Sequence, residues 1–267
     1  MKTLISAIVL LLAAAPAWAK DAEGVANHTV APAALQPDKA YLLFDSSRAK
    51  SGVMKITHVF MRVPTEPEIA LYREAKRLAY EKALPKLKRK AKGGPVESFE
   101  EFQFSWDGVQ NTFAVDMGKP LEESDTFLVE VPPGTYVLYG VAVSTRGLAT
   151  CNCLGTVKFD AAPGTITRMG ALFADKVHED SPVPNLEDNL GKQMSQYGFV
   201  LGQALIPAKA GDPVPTAIEG LPSVLAEYHP VGMFAEPGAA SVNRLAPIPG
   251  VLEYDRGRVV IPERAGE

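Results

Sequence analysis

The chain has 267 residues, of which 46% are apolar and 22% charged, with 22 Gly, 22 Pro and a formal net charge of −4. That apolar content can build a core, which excludes a wholly disordered chain, while the Gly and Pro content calls for many turns and irregular connections. The acidic balance excludes a generally basic nucleic-acid binder.

The chain opens Met1-Lys2-Thr3, and Leu4 to Ala15 is a mostly apolar run of the length expected of a signal-peptide core. A membrane-spanning helix needs about 20 apolar residues, so this run is short for an anchor. Pro16 and the triplet Ala17-Trp18-Ala19 follow, with small residues where signal peptidase requires them, and cleavage is expected before Lys20. Residues 1–19 are therefore read as a signal peptide, leaving a mature chain of 248 residues that is periplasmic or secreted. No later segment reads as a transmembrane span.

Residues 20–38 are small and polar, with Pro32 and Pro37, and read as a flexible leader. Ala40 to Phe44 is the first expected strand. Val53 to Val63 is the second, with Met54, Ile56, His58 and Phe60 on one face of its alternation and Pro64 at its end. From Glu66 to about Leu84, or Leu87 if the chain bends at Pro85, the residues Ile69, Tyr72, Ala75, Ala79, Ala83 and Leu87 recur at helical spacing. Lys76 also falls on that stripe. Lys86 to Gly94 reads as a basic exit ending in glycine, so a basic helical insertion spans about 66–92.

Strand signals resume at Glu101 to Trp106, Thr112 to Asp116, Thr126 to Val131, Thr135 to Ser144, Leu154 to Asp160 and Thr165 to Phe173. Pro133-Gly134 and Pro163-Gly164 each place Pro and Gly where a type II turn needs a fixed negative φ and then a positive one. Both are expected to make tight hairpin turns. The expected fold is mainly β: residues 39–174 form an antiparallel β-sandwich or small barrel with one helical insertion.

Asp175 to Lys192 is acidic and turn-rich, and nine prolines lie between Pro207 and Glu267. A regular sheet does not accommodate that density. Residues 175–267 read as an acidic loop and a long proline-rich C-terminal extension, with short strands at Phe199 to Leu205 and Arg258 to Ile261. Leu221, Val224, Leu225, Tyr228, Met233, Phe234, Leu245, Ile248, Val251, Leu252 and Tyr254 make it too apolar for a free linker, so it is expected to wrap and pack on the domain; a flexible tail is the alternative.

The stretch LVEVPPGTYVLYGVAVS from Leu128, followed by CLGTVKFDAAPGTITRMG up to Gly170, resembles small exported bacterial β-sandwich domains of unknown function. In these a P-P-G-T-Y turn precedes a G-T-V-x-F strand and a P-G-x-I hairpin. The first half is also similar to the turn of transthyretin-like and carboxypeptidase-regulatory-like sandwiches. The likeness covers 43 residues, Leu128 to Gly170, and concerns turns and core positions, so it implies a fold and no catalytic residues.

The cysteines are Cys151 and Cys153, in a C-x-C arrangement. In an oxidising compartment they are expected to pair locally or remain inert; the other readings are a redox dithiol or two thiolate ligands for Cu(I) or Zn. His28, His58, His178 and His229 stand singly, without ligand spacing. Glu179, Asp180, Glu187 and Asp188 lack the pattern of a calcium loop and read as a solvated acidic run. No nucleophile elbow, H-E-x-x-H or phosphate-cradling loop occurs, so no catalytic residue, cofactor or metal is assigned.

The segment from Arg73 to Lys92 carries a local net charge of +7 against −12 for the rest of the mature chain. Arg73, Lys76, Arg77, Lys82, Lys86, Lys88, Arg89, Lys90 and Lys92 are the candidate contacts to an anionic envelope surface or another envelope protein; a solvated helix is the alternative. The expected function is a non-enzymatic binding or structural module of the envelope, the alternative being a thiol-redox or metal-binding protein that uses the Cys-Asn-Cys motif.

Overall fold

The computed structural model describes residues 34–47, 56–104, 112–116, 121, 125–143, 148–173, 203–233, 244–255 and 258–260. The expected signal peptide, most of the leader, His28, His178 and the acidic run from Glu179 to Asp188 lie outside the described residues.

The described residues form short strands and one α-helix, α1 (Glu66–Ala91). In chain order the strands are β1 (Ala40–Ser47), β2 (Ile56–Arg62), β3 (Thr112–Asp116), β4 (Thr126–Val131), β5 (Gly134–Val143), β6 (Leu148–Cys151) and β7 (Thr156–Ala161). They continue with β8 (Ile166–Phe173), β9 (Ala204–Pro207), β10 (Ser223–Leu225), β11 (His229–Val231), β12 (Glu253–Asp255) and β13 (Arg258–Val260).

The first sheet runs β10-β8-β1-β4, with β9 also on β8. Here β1 pairs antiparallel with β4 but parallel with β8, and β8 pairs parallel with β10. The second sheet runs β11-β7-β5-β2-β3, with β6 also on β5, and its pairs are antiparallel. β12 and β13 form a separate hairpin.

Alternation aims these strands. In β7 Val157, Phe159 and Ala161 are buried while Lys158 and Asp160 are exposed, the period of a half-solvated strand. In β4 Phe127, Val129 and Val131 enter one hydrophobic cluster and Leu128 a second. The larger cluster draws on both sheets: Phe44 of β1 lies 5.8 Å from Phe60 of β2, and Phe159 of β7 meets Phe60 edge-on at 6.4 Å. Tyr228, Leu245, Ile248 and Leu252, from the far end of the chain, belong to the same cluster.

The β-rich character with a single helix agrees with the sequence reading; several finer expectations do not hold. Neither sheet closes, so the structure is not a barrel. The first sheet is mixed rather than antiparallel, because β8 returns from the other sheet to lie beside β1 in the same direction. The two Pro-Gly turns are not hairpins: Pro133-Gly134 links β4 of the first sheet to β5 of the second, and Pro163-Gly164 links β7 back to β8. Each turn therefore crosses between sheets instead of joining paired neighbours.

Gly164 has φ +64, whereas Gly134 sits at φ +150, well away from the type II value, as the first residue of β5 opposite Ala161. A Cβ on Gly134 would lie 3.3 Å from Arg62 Cδ, so its bareness makes room for that side chain. Residues 101–104 are not a strand. The aromatic density that suggested one is used for packing on α1.

Candidate functional site

Helix α1 begins with a capping box: Glu68 accepts from Thr65 N at 2.7 Å and from the Thr65 hydroxyl at 2.9 Å. The same carboxylate receives Arg62 Nη2 at 2.5 Å and Nη1 at 3.1 Å, a fork that fastens the helix to β2. The Arg62 guanidinium and the Thr65 donors hold the Glu68 carboxyl down to about 2. Glu68→Ala should lower stability by about 1–3 kcal/mol, since Arg62 is 8% exposed and would keep its charge without the fork. Urea unfolding of the two proteins measures this.

The helix continues through Pro85 to Ala91, past the expected exit at Lys86, and ends with Lys92 at φ 48. Basic residues in the last turn suit the negative end of the helix dipole, and Pro85 lies on an exposed position. None of its 26 residues is buried, and at 1.5 Å per residue it extends about 39 Å.

What α1 does pack against is its own return segment. Tyr80 meets the rings of Phe99 and Phe102 at 5.8 and 5.4 Å and donates to Glu97 O at 2.8 Å. Tyr72 meets Phe104 at 5.8 Å. These contacts brace the first two-thirds of the helix on one side, and among the described residues no aromatic ring packs on the last turns.

The nine candidate cations divide accordingly. Arg77 is held by Glu74 and Glu81, and Lys76 lies 4.9 Å over the Phe99 ring and donates to Glu100 O. Arg73 is exposed on the proximal half. Lys82, Lys86, Lys88, Arg89, Lys90 and Lys92 are exposed and have no acidic partner among the described residues. The dipole at a helix C-terminus amounts to about half a negative charge, so stabilising α1 does not require this many cations. Lys82, Lys86 and Arg89 follow one another at helical spacing along a single face.

A second polar cluster, which the sequence reading did not assemble, is internal. Gln203 Nε2 donates to His58 Nδ1 at 2.8 Å, which leaves the ring proton on Nε2 to be donated to Ser46 Oγ at 2.8 Å. Gln203 Oε1 accepts from Asn152 Nδ2 at 2.8 Å. A serine, a histidine and an amide in line suggest acyl transfer, yet this tautomer cannot take a proton from Ser46 through Nε2. Ser46, His58, Asn152 and Gln203 are all buried, and burial lowers His58 to about 4. The cluster is a neutral spine that ties β1, β2 and the start of β9 together. His58 was legible as a residue on an apolar face; its partners, up to 145 positions away, were not.

Cys151 and Cys153 are joined in a disulfide, and both are buried beside Val59 and Tyr139. Among the described residues no three His, Cys, Asp or Glu side chains gather as a metal site. An open cleft of about 340 Å³ lies between β8 and the connection after β9, edged by Asp45, Thr126, Arg168 and Asp212. No helix of the described residues is long and apolar enough to cross a membrane. Comparison with protein-family models, curated proteins and solved structures finds no match to this chain.

Proposed function

We propose that this chain is a non-enzymatic binding module of the cell envelope, periplasmic or secreted, that presents α1 from a β-sandwich to an anionic phospholipid surface. One observation carries the reading: a helix fastened at its start by Arg62–Glu68 and braced on its own return segment leaves Lys82, Lys86, Lys88, Arg89, Lys90 and Lys92 exposed and, among the described residues, without acidic partners. The sandwich, with the C-terminal extension laid on it, is supported by the cluster that both sheets share with Tyr228, Leu245, Ile248 and Leu252.

Attraction here is electrostatic rather than insertive. The exposed Leu71 and Leu78 are the large aliphatic side chains offered to solvent on α1; in the distal turns Ala83, Leu84, Leu87 and Ala91 are half-buried, and apart from Pro85 the exposed positions are cations. Each cation near an anionic leaflet contributes about 1 kcal/mol, so four of them suffice for reversible adhesion. Thiol-redox catalysis, the other reading of Cys151 and Cys153, needs a sulfur that a partner can reach, and burial of both opposes it.

Replacing Lys86, Lys88, Arg89 and Lys90 with Gln should abolish co-sedimentation with vesicles rich in phosphatidylglycerol while leaving the unfolding midpoint within about 0.5 kcal/mol of the parent. Parent binding should fade as salt approaches about 1 M, where the screening length is about 3 Å. Equal binding to pure phosphatidylcholine, or no loss in the four-fold variant, would exclude the lipid reading. Binding to acidic polysaccharide in place of the vesicles would reassign the partner.

A further inference from the structure

The short turn that contains the disulfide receives three separate pieces of the C-terminal half. Gln203 docks on Asn152 through the amide pair at 2.8 Å. Leu245 N and the Tyr254 hydroxyl both donate to Gly155 O, at 3.4 and 3.3 Å. The missing side chain of Gly155 makes room for the Tyr254 ring and Val259, which a Cβ there would meet at 2.6 and 2.8 Å.

The pieces also hold one another. Ala246 N donates to Gln203 O at 2.9 Å, Tyr254 donates to Leu245 O at 2.9 Å, and the Arg244 guanidinium lies 5.3 Å over the Tyr254 ring. The turn itself is fixed in two ways. Asn152 N donates to Tyr139 O at 2.6 Å and Gly155 N to Asn152 O at 3.0 Å, and the bond between Cys151 and Cys153 clamps the residue that lies between them.

We propose that the Cys151–Cys153 disulfide is a folding latch: its closure shapes the turn from Asn152 to Gly155 onto which the C-terminal segments dock, making that docking depend on oxidation. On closure the two thiols lose two protons and two electrons as the S–S bond forms. The electrons reduce an external disulfide, small-molecule or protein, which leaves as two thiols. Without the ring, Asn152 is tethered by its own hydrogen bonds alone and its side chain no longer has one enforced direction. The latch is independent of the reading of α1.

Limited trypsin digestion of the whole mature protein, oxidised or refolded in a phosphine reductant, tests this. Cleavage after Arg244, buried in the docked state, reports the C-terminal segments; cleavage after Arg62, buried in β2, reports the sheets. Reduction should raise the rate at Arg244 about tenfold or more while Arg62 stays resistant, as expected of a sub-global opening. Asn152→Ala in the oxidised protein should also raise it, with the disulfide intact by mass. Equal rates at Arg244 in the two redox states would overturn the latch, as would an Asn152→Ala protein that behaves like the parent. Simultaneous opening at Arg62 and Arg244 on reduction would overturn it too, because the bond would then support the whole fold.

Discussion

Gly170→Ala should destabilise the protein by about 2–5 kcal/mol, the sum of a positive-φ penalty of about 1–2 kcal/mol and overpacking of about 1–3 kcal/mol. Gly170 has φ +100 and sits where the register of β1 against β8 slips, so that Leu43 pairs with Arg168 and Phe44 with Gly170. Met169 is the extra residue of this bulge. Its carbonyl accepts from Ala208 N at 3.2 Å and from the buried Tyr228 hydroxyl at 2.8 Å. An added Cβ would overlap Ile206 O and stand 2.5 Å from Ala208 N, both main-chain atoms that cannot rotate away. β9 would have to leave β8. Urea unfolding monitored by circular dichroism should show the midpoint falling sharply; a shift below about 1 kcal/mol would mean that β9 does not lie there. Gly220, at φ +80 with open space around it, is the control: Ala there meets only the backbone penalty.

Stability should also fall as pH drops from about 6.5 to about 4. Burial lowers His58 from 6.5 to about 4, so the unfolded chain takes up a proton on this ring before the folded chain does. Above pH 6.5 the ring is neutral in both states and contributes no slope. Between the two values the unfolded state gains progressively, to a loss of about 3 kcal/mol at the lower end, after which this group adds no further slope. Glu68 acts in a separate window. Its folded value is depressed to about 2, so its contribution is present above 4.5 and fades as pH falls through the range below. Urea midpoints at half-unit steps between pH 7.5 and 4.5, for the parent and His58→Asn, measure the difference. The variant should be less stable at neutral pH and flatter across this range; equal slopes would assign the acid loss elsewhere.

Local chemistry made much of the fold legible. Strand residues at Ala40 to Phe44, Thr126 to Val131 and Thr165 to Phe173 show the β-branched and aromatic density that β1, β4 and β8 need. The helical spacing of Ile69, Tyr72, Ala75, Ala79 and Ala83 and the basic run that follows announce α1, while the Thr65 cap and the acidic first turn emerge with the structure. The nine cations of Arg73 to Lys92 were visible as a charge excess, but the sequence could not separate Arg77, bound to Glu74 and Glu81, from the exposed distal group.

Where the sequence misled, a local signal had a non-local use. Glu101 to Phe104 carries strand-like aromatics that instead clasp Tyr72 and Tyr80. The Pro-Gly pairs specify sharp reversals, and a reversal between two sheets needs the same residues as one within a sheet. Parallel pairing of β1 with β8, and the meeting of Ser46, His58, Asn152 and Gln203, join residues scattered along the chain. Sequence by itself determined periodicity, capping, turn chemistry and the placement of charge, because each depends on residues within a few positions. Which sheet a strand entered, which polar groups met in the core and what packed on the disulfide turn were decided by tertiary structure. There burial of apolar area and satisfaction of buried donors act between residues that have no local relation.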